Sequence, residues 1–215
     1  MYKKYIKRFL DIVLSAVAIV ILIPVYLILA VLVRCSMGSP VLFGQERIGK
    51  NEKVFKLYKF RSMTNATDEN GQLLDEQQRL TKVGIFLRST SLDELPELFS
   101  IFLGRMSFVG PRPLPTYYGP YFHEEERKRH SVLGGLIPPD GLCGETTPVW
   151  ETQFEYDCYY AENISFWMDI KVIFATFMIL FKRVQNNYGA EDRPHLNEYR
   201  QHEEVEKEEV SAHEI

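Results

Sequence analysis

Cysteine is scarce in this chain. Cys35, Cys143 and Cys158 are odd in number, widely spaced and without a CxxC pair, which argues against a disulfide framework or a cysteine zinc site and suits a reducing compartment. No internal repeat is present, and no A-x-A-like cleavage pattern follows the first apolar run, so a removed signal peptide is disfavoured. Asn163-Ile164-Ser165 forms a glycosylation sequon, but nothing else in the chain supports the secretory compartment that it needs. A large excess of positive charge is also missing: residues 191–215 hold nine acids against three bases, leaving about +2 for everything before them. No nucleic-acid partner is expected. That final stretch has few large apolar residues and a run of glutamates, so the expectation is a solvated acidic tail, 186–215, without chemistry.

With 46% hydrophobic and 25% charged residues, 215 residues suffice for one sizeable core and one catalytic domain. The apolar run at 9–33 carries only Asp11 and Ser15 as markedly polar side chains and is long enough to enter a bilayer. Lys3, Lys4, Lys7 and Arg8 precede it, which places the N-terminus in the cytosol by the positive-inside rule. Pro24 lies mid-run, where it removes a backbone hydrogen bond and crowds the preceding turn. Two readings stay open: a spanning helix with a tolerated proline, or a hairpin broken near Pro24 that returns to its side of entry. A second run, 164–183, is interrupted by Asp169 and Lys171, and its uncharged part, 172–181, is too short to span. Its aromatics and terminal Lys182 and Arg183 suit a helix in the headgroup layer, although a core helix would share the pattern.

Between the runs, residues 41–63 read as two strands around Gly49-Lys50-Asn51, residues 73–87 as a helix, and the charged stretch 119–130 as a solvated helical face. The stretch "RSTSLDELPEL", 88–98, places Asp93 beside Glu94. Ser91 and Glu94 have capping-box spacing ahead of an apolar run, so the two acids read either as the start of a helix or as a reaction centre. Basic residues recur around them: Lys59, Arg61, Arg88, Arg105, and Arg112 between Pro111 and Pro113. Together they suggest a polyanion pocket, since guanidinium groups grip phosphate bidentately.

The stretches "QERIG", "VFKLYKFRSM", "LRSTSLDELPELFSIFLGRMSFVGPRPL", "FEYDCYYAENISF" and "DIKVIF" follow one another in an order that resembles the bacterial sugar transferases, in particular the small monotopic phosphoglycosyl transferases. The resemblance implies transfer of a sugar 1-phosphate from a UDP-sugar to a polyprenyl (undecaprenyl) phosphate, releasing UMP and starting a surface glycan. It implies Asp93 as the nucleophile of a covalent phosphosugar intermediate, with Glu94 beside it and Mg2+ required, Asp93 and Glu94 being the candidate ligands. Arg88 and Arg112 are the first candidates for phosphate contact, with Lys59, Arg61 and Arg105 behind them. The family's N-terminal segment is a re-entrant hairpin broken at a proline matching Pro24. This would keep the catalytic domain on the cytosolic face of the bacterial inner membrane, in contact with membrane lipid.

The match fails at 131–150, "SVLGGLIPPDGLCGETTPVW", where the family's arginine, tryptophan and Q-x-N-G-R set are absent. One reading is a remodelled donor pocket lined by Asp140, Glu145, Thr146, Thr147 and Trp150, with Asp157 and Tyr160 from the matched segment that follows; Asp157 reads either as part of that pocket or as the partner of a buried arginine. The other is a catalytically silent membrane scaffold for glycan-pathway enzymes. The expected fold class is α+β: a membrane hairpin at 1–35, a mainly helical catalytic domain at 36–185 with a short β-hairpin and amphipathic interfacial helices, and the tail. The sugar and the oligomeric state are not legible.

Overall fold

The computed structural model describes residues 1–145, 147–185 and 193–201. Helices and two small sheets make an α+β protein. The chain forms two compact units: one is built from 8–46 and 55–106, the other from 1–7, 47–54 and 107 onward.

The first unit contains most of the apolar run. A π-type turn, Tyr2–Ile6, leads into α1 (Lys7–Ile21), and α2 (Ile23–Met37) follows at a bend of 63°. The break falls on Leu22, two residues before the proline, because Pro24 is tolerated in the first turn of α2, where its missing N–H is not needed. Its ring would instead clash with a helix continuing from Val20. Ser15 turns inward and donates back to the Asp11 carbonyl at 2.6 Å, which hides its hydroxyl. Leu29, Val33 and Met37 of α2 form this unit's core with Phe60 and Leu87. The expected hairpin forms as β1 (Leu42–Ile48) and β2 (Val54–Phe60), joined through the turn Lys50–Glu52.

The helix expected at 73–87 is divided. Short α3 (Glu76–Arg79) ends at Leu80, whose backbone is extended, and α4 (Lys82–Ser89) starts afresh with Thr81 Oγ1 accepting from Gly84 N–H at 2.9 Å. Gly84 is needed there because a Cβ would lie 1.8 Å from the Ser62 carbonyl oxygen. After α4 come a 3-10 turn, Leu92–Glu94, and α5 (Glu97–Phe102). Arg8 finishes α5 by donating to the carbonyls of Ile101 and Phe102 at 2.6 and 2.8 Å.

In the second unit, β3 (Met106–Val109) pairs with β4 (Gly134–Ile137), a sheet that the sequence pattern did not suggest. Helices α6 (Trp150–Glu162) and α7 (Phe166–Gln185) follow. Trp150, Phe154, Phe122, Tyr118, Leu114 and Ile48 make an aromatic-rich core. The stretch expected to be a solvated charged helix is instead two 3-10 segments, Thr116–Tyr121 and Glu126–Ser131, and the second buries Arg129 and His130. Arg129 is 1% exposed; its Nη2 lies 2.6 Å from Asp157 Oδ2, and its guanidinium stands over the rings of Phe122 and Phe154. The buried Asp157 carboxylate draws it inward, one of the two roles that the sequence left open for Asp157, although nothing in the local pattern marked Arg129 as its partner.

The tail expectation also gives way over 193–201. Residues 196–201 are helical, and Leu196 is fully buried among Trp150, Phe154 and Tyr118. Trp150 donates its indole N–H to the Pro194 carbonyl at 3.0 Å. The stretch has few apolar residues, but one leucine placed in an aromatic nest and two arginines with built acceptors suffice to hold it. Residues 186–192 and 202–215 lie outside the described residues.

Candidate active site

The first group of candidate residues lies in the unit built from 8–46 and 55–106. Thr81 starts α4 so that Arg88 emerges in its last turn, where Nε donates to Ser62 Oγ at 3.0 Å. The chain then reverses at Ser91, a non-glycine residue in the left-handed region at φ 55°, and enters the 3-10 turn that carries Asp93 and Glu94. The capping box therefore does not form: Ser91 makes no side-chain cap, and Glu94 Oε1 accepts from Lys59 Nζ at 2.5 Å. Three residues per turn send adjacent side chains in different directions, so Asp93 and Glu94 have different surroundings.

Lys59, near the end of β2, also lies 3.3 Å from Glu97 Oε1 in the first turn of α5. Glu97 is 4% exposed, a third carboxylate that the sequence reading missed. Its i,i+3 spacing from Glu94 was the available signal, since residues so placed share a helical face. Asp93 makes no ion pair among the described residues and accepts from its own backbone N–H. Burial pushes its carboxyl above the ordinary range and Glu94 adds to this, while Lys59, the backbone N–H and Arg88 oppose it. The result is a half-buried, unpaired carboxylate flanked by a lysine and an arginine.

Arg61 is turned away from this group, buried and donating to the Met37 carbonyl. Arg105 is exposed after Gly104, with no described side-chain partner. Among the described residues no cluster of three or more His, Cys, Asp or Glu side chains is placed to hold a metal ion. Magnesium commonly takes one or two carboxylates and completes its shell with substrate phosphate and water; of the two candidate ligands Asp93 has no ion pair among the described residues, whereas Glu94 is engaged by Lys59.

The second group lies in the other unit. Arg112 is exposed between buried Pro111 and Pro113, and its carbonyl accepts from Arg129 Nη2 at 2.9 Å. The preceding backbone is held against β4, where Gly135 N–H donates to the Pro111 carbonyl at 2.9 Å. Gly135 packs so closely on Gly110 that a Cβ would lie 2.1 Å from the Gly110 nitrogen. Asp140 sits in the 3-10 turn Pro139–Cys143, its carboxyl raised above the usual range by burial, with Arg112, Arg193 and Arg129 opposing. Asp157 is fully buried; this pushes its carboxyl up to about 6 although Arg129 pulls it down.

Among the other expected pocket residues, Glu145 and Thr147 are exposed, and Thr146 lies outside the described residues. Trp150 is 4% exposed and packed on Tyr118, Phe154 and Arg193, so it serves the core. Tyr160 is fully buried, with its hydroxyl between the Val109 carbonyl at 3.0 Å and Asp169 Oδ1 at 2.5 Å. Asp169, which interrupts an apolar helix in the sequence, is thus a buried acceptor that also receives Tyr2 and Lys7 at 2.5 and 2.6 Å. Pro24 is placed by the bend already described.

A family model for bacterial sugar transferases matches residues 2–183. The chain belongs to the bacterial sugar transferase family. An uncharacterized sugar transferase of Bacillus subtilis is 44% identical over 144 residues, covering 67% of this chain and 71% of the relative. The UDP-glucose:undecaprenyl-phosphate glucose-1-phosphate transferase of Klebsiella pneumoniae is 39% identical over 180 residues, 79% of this chain but 39% of the relative. The exopolysaccharide production protein PSS of Rhizobium leguminosarum bv. phaseoli is 39% identical over 185 residues, 80% of this chain and 92% of the relative. The chain thus spans most of the length of some curated relatives and under half of others.

Proposed function

We propose that this sugar transferase is a phosphoglycosyl transferase that moves a sugar 1-phosphate from a UDP-sugar to undecaprenyl or a related polyprenyl phosphate and releases UMP. The observation that carries the reading is the unpaired, half-buried Asp93 carboxylate beside Lys59 and Arg88, in a family whose relatives include an undecaprenyl-phosphate glucose-1-phosphate transferase.

In the first step an Asp93 carboxylate oxygen attacks the sugar-bearing phosphorus. A bond forms from that oxygen to phosphorus, and the bond from phosphorus to the bridging oxygen breaks. UMP leaves with the bridging oxygen and its electron pair. In the second step an oxygen of the polyprenyl phosphate attacks the same phosphorus and displaces the Asp93 carboxylate, giving a polyprenyl diphosphate-linked sugar and restored enzyme. An anion attacking an anion needs positive charge nearby, which Lys59 and Arg88 supply. Burial raises the basicity of Asp93, which favours attack, while Lys59 opposes the rise. Glu94 and Glu97 hold Lys59 in place. Mg2+ is proposed as the cofactor, held by Asp93 and Glu94; when bound, it would supply further charge neutralisation on the donor phosphates.

The bent pair Tyr2–Ile21 and Ile23–Met37 supports a re-entrant anchor. No single described helix is long and apolar enough to cross a membrane. Val17, Val20, Ile21, Leu27, Ile28 and Val31 are exposed, whereas Asp11 and Ser15 are buried, an arrangement that suits lipid outside the hairpin. Exposed Trp167, Phe174 and Phe177 suit α7 to the headgroup layer. Nucleotide sugars are cytosolic, so the proposed location is the cytosolic face of the inner membrane.

The deciding experiment incubates detergent-solubilised protein with Mg2+, polyprenyl phosphate and a panel of UDP-sugars, with Asp93→Asn alongside. UMP release abolished by the substitution, with a phosphosugar adduct on Asp93 when lipid is omitted, is the expected result. Silence across the panel from folded protein would favour the scaffold reading; an adduct on Glu94 would exchange the two roles.

A further inference from the structure

One face of α6 serves neither the core nor the proposed chemistry. Glu151, Glu155, Cys158, Tyr159 and Glu162 recur on it at spacings of three and four, while Gln153, Asp157, Tyr160 and Ala161 on the other side are buried. Facing it is the 3-10 segment Glu126–Ser131 with Glu125 at its start, and the two enclose a groove of about 580 Å³. Cys158 fastens these walls together, its Sγ donating to the carbonyls of Glu125 and Glu126 at 3.6 Å each. The strap 193–201 closes one end: Arg200 pairs with Glu126 and Glu151, and Tyr199 donates to Glu151 at 2.9 Å. Every wall belongs to the same unit.

Five glutamates line this groove against a single lysine. Glu126 and Glu151 are answered by Arg200, and Glu162 meets Lys128 at 3.8 Å with both side chains exposed, a weak pair. Glu125 and Glu155 are exposed and make no ion pair among the described residues. Such a surface repels anionic lipid and nucleic acid. Nor does this chain hold a segment to fill it: 186–192 contain two acids and no base, 202–215 contain six glutamates against one lysine, and Lys3 and Lys7 are engaged by the Ala161 carbonyl and Asp169. A cation is what fits. Glu151 and Glu162 stand about 17 Å apart along α6 by the helical rise, the reach of about five extended residues. Between them Tyr159, 51% exposed, offers a ring face to a guanidinium or ammonium group.

We propose that this groove docks a Lys- and Arg-rich cytosolic segment of a membrane-bound partner protein. Cytosolic segments flanking membrane spans are enriched in these two residues. The proposed chemistry also calls for a neighbour at the same membrane, because a polyprenyl diphosphate-linked sugar stays in the bilayer and the glycosyl transfer that consumes it must take place there. This inference rests on the proposed reading of product and location, and it gives the groove no part in the transfer step itself.

The test uses the full chain in an uncharged detergent and a fluorescein-labelled peptide of three Gly-Arg-Gly-Lys repeats, with binding read by anisotropy and a peptide carrying Gln at every basic position as control. Wild type should bind the basic peptide and not the control. Glu125→Lys combined with Glu155→Lys should weaken binding roughly tenfold, the effect of reversing two exposed charges, and Tyr159→Ala should weaken it about threefold. Glu46→Lys combined with Glu69→Lys, the same change in net charge at exposed positions outside the groove, should leave affinity within about twofold. UMP release by the groove variants should match wild type. Equal losses in the two double variants would reduce the attraction to net charge and overturn the proposal, as would wild type that ignores the basic peptide. Spermidine that displaces the labelled peptide as well as unlabelled peptide does would make the groove a polyamine site and overturn it too. Groove-dependent peptide binding by protein that releases no UMP from any UDP-sugar would uphold the docking site and overturn the donor reading; UMP release without peptide binding would overturn the docking site alone.

Discussion

Lys59 Nζ lies 2.5 Å from Glu94 and 3.3 Å from Glu97, so one cation serves two carboxylates while a third, Asp93, is left without an ion pair among the described residues. The arrangement separates the acidic pair chemically although its members are adjacent in sequence. Lys59→Gln should lower the initial rate of UMP release roughly a hundredfold, as loss of one charge-stabilising donor does elsewhere. Glu97→Gln keeps the Lys59–Glu94 contact and should cost less. Equal rates for Lys59→Gln and wild type in folded protein would remove Lys59 from the chemistry.

Arg129 and Asp157 form the most deeply buried ion pair described, 1% and 0% exposed at their side chains. Arg129→Met leaves a bare carboxylate in the core, together with an unsupported Arg112 carbonyl. The expected loss is about 3–5 kcal/mol, read as a fall in the thermal midpoint. Adding Asp157→Leu should recover part of it, because the stranded charge is then gone. A double variant less stable than Arg129→Met would show that Asp157 has other obligations.

His130 is 6% exposed, and burial and the neighbouring Arg129 push its pKa down to about 4, with Arg127 adding to this and Glu52 opposing. A depressed histidine favours the neutral form in the folded state. Its contribution is therefore complete above the unfolded value near 6.5 and is lost as pH falls from there towards 4. The shift corresponds to about 3 kcal/mol across that window. Asp157, raised to about 6, acts in the opposite sense, stabilising as pH falls from about 6 towards its unfolded range. Replacing the histidine isolates its share: the stability gap between wild type and His130→Gln should narrow or reverse towards wild-type loss between pH 7 and 4.5. A gap independent of pH in denaturant titrations would refute the assignment.

Leu196 is fully buried in the aromatic core of its unit. Leu196→Ala should cost about 2–5 kcal/mol, and a chain ending at residue 190 should lose at least as much. An unshifted thermal midpoint on truncation would mean that the strap contributes nothing in solution.

Asp169 accepts from Lys7, Tyr2 and Tyr160. Asp169→Leu strands the Lys7 ammonium and should destabilise by about 3–5 kcal/mol; the added Lys7→Met should recover part. No recovery would indicate that the tyrosine bonds dominate.

Much of this was legible from local pattern. The two-strand hairpin followed from apolar alternation around a Gly-Lys-Asn turn, the break in the first apolar run from Pro24, and the long C-terminal helix from its aromatics, because each signal resides in a few neighbouring residues. The run of residues around Asp93 was enough to suggest the family. Local pattern misled at Ser91, where a capping box was written but Lys59, over 30 residues away, took Glu94. It failed again at Arg129, whose charged neighbours suggested a solvated face.

By itself, then, the sequence determined the hairpin, the bend, the acidic pair and the kinship, since covalent proximity and hydropathy suffice for these. Only the tertiary structure decided that Glu97 shares Lys59, that Asp157 takes Arg129 inside, that Asp169 is an anchor, and that residues 193–201 are a strap. Each depends on partners brought together across the chain, where burial turns an ordinary surface charge into a group that must find its counter-charge.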